Sequence, residues 1–124
     1  MKYAKQMRLV KKLADSTRAG VINWQPSVHP DMFQVSFRDN TVRVTEKEND
    51  IGAPIYEIEL LNGSGEVVES FDDELLDKDD GTNGSIESWY SIIHELYNTA
   101  RRTALGAEKV LDEIIADLDD IMPF

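Results

Sequence analysis

The side chains best suited to proton transfer near neutral pH in this chain are its two histidines, His29 and His94. His29 sits in Ser27-Val28-His29-Pro30-Asp31, so a hydroxyl, an imidazole and a carboxylate fall within one short segment. A nucleophile–base–acid set is assembled in space, however, and adjacency along a loop does not specify one. His94 stands beside Glu95 and four residues after Tyr90, in a stretch of helical periodicity. Carboxylates with His94, in a cleft between that helix and a sheet, would make a small enzyme. Thiol and metal chemistry are bounded more tightly. The chain has no cysteine, which excludes disulfides, thiolate catalysis and cysteine-ligated zinc or iron–sulfur centres. Its histidines are far apart and form no His-x-x-x-His pair on one helical face. No cofactor and no metal are expected.

Two loops imitate known ligand cradles. Asp79-Asp80-Gly81-Thr82-Asn83-Gly84-Ser85-Ile86-Glu87 resembles a helix–loop–helix calcium loop, with Asp79 first, Asn83 fifth, Gly84 at the sharp turn and Ile86 at the apolar eighth position. Gly81 occupies the third position and Tyr90 the twelfth, so two carboxylate ligands are missing, including the bidentate one. The segment therefore reads as a solvated turn that caps a helix. Asn62-Gly63-Ser64-Gly65 follows a strand as phosphate-binding loops do, but it lacks the Lys-Ser/Thr pair and runs into Glu66-Val67-Val68. That composition is a hairpin turn.

The net charge of −11 is unevenly placed. Residues 1–20 carry Lys2, Lys5, Arg8, Lys11, Lys12 and Arg18 against a single acid, Asp15. Residues 46–80 carry thirteen acids against Lys47 and Lys78, and residues 108–124 carry six acids against Lys109. Overall acidity argues against affinity for nucleic-acid phosphates or anionic lipid, so neither is an expected direct partner. It leaves two candidate contact surfaces for another protein. One is the acid run Asp72, Asp73, Glu74, Asp77, Asp79 and Asp80, which could mimic the phosphate spacing of nucleic acid and block a basic cleft elsewhere. The other is the basic face of the first segment, Lys5, Arg8 and Lys12 with Lys11, which could equally lie against the chain's own acids.

The elements that must position these groups follow from hydrophobic period. Tyr3 to Arg18 predicts a helix, with Tyr3, Met7, Val10, Leu13 and Ala14 inward and Gly20 ending it. Val21 to Trp24 reads as a short extended piece. Residues 32–71 predict four antiparallel strands with one wet face: Phe33, Val35 and Phe37, a turn at Asp39-Asn40, Val42 and Val44, then Tyr56, Ile58 and Leu60, and a last strand from Val67 to Phe71. Residues 72–84 form a surface connection with a helical turn at Glu74-Leu75-Leu76. A long helix begins near Ile86 with Ser85 as N-cap and runs through Trp89, Tyr90, Ile93, Leu96, Tyr97, Ala100 and Ala104. After Gly106 a last helix carries Leu111, Ile114, Ile115, Leu118, Ile121 and Met122 on one face. That stripe is wider than a strict heptad seam, which favours packing on a globular core. The expected fold is a single α+β domain over residues 1–124, in the order α-β-β-β-β-α-α.

The chain also resembles short bacterial α-β-meander-α proteins with no assigned function. Leu13, Thr17, Gly20, Ile22 and Trp24 carry the resemblance at the start. At the end it is carried by the run from Leu96 to Gly106 (LYNTARRTALG) and by Leu111-Asp112-Glu113-Ile114. It implies architecture only. Without a signal-like run or an apolar stretch of membrane-spanning length, cytoplasmic residence is the expectation. The leading functional reading is a small non-enzymatic protein–protein interaction domain, acting as adaptor, inhibitor or immunity-type partner. A homodimer through an exposed part of the last helix is a further expectation.

Overall fold

The computed structural model describes residues 1–82 and 87–122. Helix α1 (Ala4–Arg18) leads into strands β1 (Gln25–Pro26), β2 (Met32–Phe37), β3 (Asn40–Glu48), β4 (Pro54–Leu61) and β5 (Val67–Asp72), followed by α2 (Asp73–Asp80), α3 (Trp89–Ala104) and α4 (Ala107–Ile121). All neighbouring strands are antiparallel, and their order across the sheet follows the chain. The α+β class and the meander are as the hydrophobic periods predict.

Register explains the core. Phe33 pairs with Val44, Val44 with Ile58 and Ile58 with Phe71, which lines up one buried row across four strands. The next residues along, Gln34, Arg43, Glu59 and Ser70, form a matching polar row on the opposite face. α3 covers the apolar face with Trp89, Ile93, Leu96, Tyr97 and Ala100, and α1 packs against α3 through Met7, Val10, Leu13, Ala14 and Thr17. Trp24 is fully buried, and its indole Nε1–H donates to Thr17 Oγ1 at 2.9 Å, so the one polar atom of that side chain is satisfied. α1 ends in a Schellman motif: Gly20 takes φ +72°, its N–H donates to Thr17 O, and Val21 N–H donates to Ser16 O.

Five expectations are corrected, the fifth concerning the last helix. The sheet has five strands rather than four, because Gln25 and Pro26 pair with Gln34 and Phe33. Proline is tolerated there because β1 is an edge. The acidic connection is a full helix, α2, rather than one turn. Asp72 opens it by accepting the Leu75 N–H at 2.9 Å, and Gly81 closes it with φ +70°. The β2–β3 turn is Arg38-Asp39, one residue earlier than expected, and no non-glycine among the described residues has positive φ. This register sets Phe37 opposite Asn40 at the end of the sheet, where it is 41% exposed. Finally, α3 starts at Trp89 with Ser88 as N-cap. The proposed cap Ser85, the start at Ile86 and the calcium-like positions Asn83 and Gly84 lie outside the described residues.

The last helix departs furthest from expectation. α4 forms, but none of its residues is buried, and α3 is the element it packs against. The stripe assigned to the globular core is exposed along its length.

Candidate functional site

α2 brings the predicted acid run together, burying Asp73 and Asp77 and engaging Asp72, Asp79 and Asp80 in hydrogen bonds within the chain. Asp77 is only 4% exposed. Its Oδ1 accepts the Trp89 N–H and the Thr82 hydroxyl, each at 2.6 Å, and its Oδ2 accepts the Tyr90 N–H at 3.2 Å. It therefore caps α3 from a neighbouring helix and complements the positive end of that helix. Asp73, also buried, accepts the Tyr56 N–H at 2.6 Å. Burial pushes its carboxyl up to about 6, with the charges of Asp72 and Asp77 adding in the same direction against the lowering effect of its backbone hydrogen bonds. Asp79 accepts the N–H groups of Lys2 and Tyr3 at 3.2 and 2.9 Å, tying down the entry to α1. Asp80 accepts the Trp89 indole N–H at 3.0 Å. Glu74 stays exposed, beside Glu48 and Asp50 in a shallow cleft. Among the described residues no group of three or more His, Asp or Glu side chains is arranged to hold a metal ion.

His94 belongs to a polar chain between α3 and the sheet. A carboxylate can only accept, so the single Tyr56 hydroxyl proton goes to Glu46 Oε2 at 3.0 Å. His94 Nδ1, 2.6 Å from that hydroxyl, must then be the donor, which leaves Nε2 to accept from Asn98 Nδ2 at 3.1 Å. The imidazole also stacks on Tyr90 with ring centroids 5.6 Å apart. Desolvation, followed by the hydrogen bond to Glu46, raises the pKa of Tyr56 and keeps the phenol protonated. Neither His94 nor His29 lines any of five clefts on the described surface, and His29 lies exposed with Val28 and Pro30 in the β1–β2 loop.

The basic face of α1 is solvent-facing. Lys5, Arg8 and Lys12 are exposed, and none of them enters an ion pair with a described residue. Lys11 lies over the Trp89 ring at 5.5 Å, and Arg18 pairs with Glu95 at 3.2 Å. Beside these bases, Leu9, Leu13, Ile22 and Phe37 line a groove of about 250 Å³ together with Lys12 and Ser16. A helical period could find the bases but not this groove, which needs Phe37 from the end of the sheet and Ile22 from the turn after α1.

α4 is the largest uncovered apolar feature among the described residues. Val110, Leu111, Ile114, Ile115, Leu118, Ile121 and Met122 are all exposed, from 46% at Leu111 to 74% at Ile121. Gly106, at φ +67°, sets the joint that turns α4 off the end of α3, and Arg102 pairs with Glu108 across it. A continuous apolar stripe in solvent is unusual for a folded monomer. No helix among the described residues is long and apolar enough to cross a membrane. The chain matches no protein-family model, no curated protein and no solved structure.

Proposed function

We propose that this chain is a small protein-binding domain that presents α4 as an amphipathic recognition helix. The observation that carries this reading is the uncovered stripe from Val110 to Met122, built on a domain whose core closes without it. Full burial of a leucine or isoleucine contributes about 1.5–3 kcal/mol. The stripe is about half exposed, so a covering partner gains roughly 1 kcal/mol per side chain, enough together to offset much of the ~4–15 kcal/mol lost on association. Helix-in-groove recognition uses side chains at this i, i+3, i+4, i+7 spacing. Leu111, Ile114, Ile115 and Leu118 supply it.

Two other readings draw less support. Mimicry of nucleic acid needs outward-facing carboxylates, whereas Asp73 and Asp77 are buried and Asp72, Asp79 and Asp80 accept hydrogen bonds from the chain itself. A carboxylate/histidine enzyme would rest on the Glu46–Tyr56–His94–Asn98 chain, whose hydrogen-bonding positions on the imidazole are already filled.

A photo-crosslinking amino acid placed at Ile121 in the full chain, expressed in the source cell, tests the reading. It should yield a discrete protein-containing adduct that disappears when Ile114→Asp and Leu118→Asp are introduced together. Absence of any adduct, or an adduct indifferent to those substitutions, would refute a binding role for α4.

A further inference from the structure

We infer that the occupant of the α4 face is a second copy of this chain, each α4 seating in the α1 groove of the other. The inference rests on the protein-binding reading above and names its partner.

Both halves of a complementary contact are present on one chain: the exposed stripe of α4, and an open groove with Phe37 exposed at its rim, Leu9 and Ile22 half-buried in its walls and Leu13 buried at its floor. The groove presents Leu9, Leu13, Ile22 and Phe37 as its apolar lining. Lys5, Arg8 and Lys12 follow one another at i, i+3 and i+7, so they run along the border of the Leu9 face. α4 has the inverse character. At 100° per residue, Asp117 and Glu113 border one edge of its stripe, while Glu108 and Asp119 border the other. Apolar lining thus meets apolar stripe, and a basic border meets an acidic one.

The same charges argue against the simplest alternative. Two α4 helices laid face to face would bring acid borders against acid borders, with Lys109 as the one base in each helix. Like charges at close quarters destabilise such a pair, most of all at low salt. Size favours reciprocity. α4 has 15 residues and so is about 22 Å long. One such face supplies only part of the ~1,600 Å² that a specific interface buries. Mutual exchange about a two-fold axis doubles the contact and closes the assembly, so no open chain of copies results.

Light scattering and sedimentation of the purified full chain test this, with circular dichroism to confirm folding of each variant. The wild type should be a dimer at micromolar concentration, and its association should weaken as salt rises. Ile114→Asp with Leu118→Asp should weaken it about tenfold or more, as should Leu9→Asp with Phe37→Ser. If the groove variant fails to fold, Arg8→Glu with Lys12→Glu replaces it, since both side chains are exposed. The discriminating step is mixing: the α4 variant and the groove variant should associate with each other more tightly than either does with itself, though more weakly than the wild type, because one intact helix and one intact groove remain between them. A monomeric wild type, groove variants that dimerise normally, association that strengthens with salt, or no heterodimer on mixing would each overturn the exchange. A monomeric chain that still crosslinks another protein through Ile121 would overturn self-pairing and leave the protein-binding reading standing. A monomer that crosslinks nothing would remove both.

Discussion

At the scale of single residues, most of the acidic run works on the chain itself. Asp77 holds two backbone N–H groups at the start of α3 and the Thr82 hydroxyl in a site almost closed to water. Asp77→Ala would orphan those donors, and we expect a loss of about 2–4 kcal/mol in urea unfolding. Asp77→Asn should also destabilise, because one amide oxygen cannot replace two carboxylate oxygens and its NH2 would face an N–H. Asp73 carries a pH signature. Its carboxyl titrates near 6 in the folded chain, above the ordinary 3.8, so the folded state holds the proton more tightly than the unfolded state does. That contribution to stability is complete below about 4 and is lost as the pH rises through about 6. Asp73→Asn keeps an acceptor for the Tyr56 N–H without the charge. The variant should be more stable than wild type by about 1–3 kcal/mol at pH 7, with the difference closing below pH ~4 in chemical denaturation.

At the scale of elements, two glycines set where helices stop and turn. Gly20 and Gly106 adopt φ +72° and +67°, and a Cβ at either meets nothing within 4 Å, so replacement is opposed by backbone strain and not by crowding. Gly20→Ala should cost about 1 kcal/mol, read from the thermal midpoint. α4 lacks a buried face and a side-chain N-cap, and a lone helix of about 12–15 residues is marginal in water. In the monomeric α4 variant, amides of Lys109 to Asp120 should therefore exchange with deuterium far faster than those of Ile93 to Ala100. Equal protection in hydrogen-exchange mass spectrometry would mean that α4 is held by the body of the domain after all.

For the whole molecule, salt should act in opposite senses on folding and on association. A net charge of −11 repels itself in the compact state, so screening should raise the thermal midpoint of the monomeric variant, while it should loosen the self-association proposed for the wild type. The α+β class, the antiparallel meander, the inward positions of its central strands and the buried faces of α1 and α3 were legible in the sequence, because period alone decides which side chains share a face, whereas β1 and the full length of α2 were not. The Gly20 stop was equally legible, because positive φ is a local demand. Other features depend on partners distant along the chain. β1 needs β2 at its side, and Asp77 becomes a cap only when α2 lies against the start of α3. The groove exists only where Phe37 and Ile22 meet α1. An amphipathic stripe states that something must cover it and not what does so. Only the turn at Gly106, which carries α4 clear of the sheet, decides that the described residues of the chain leave the stripe uncovered.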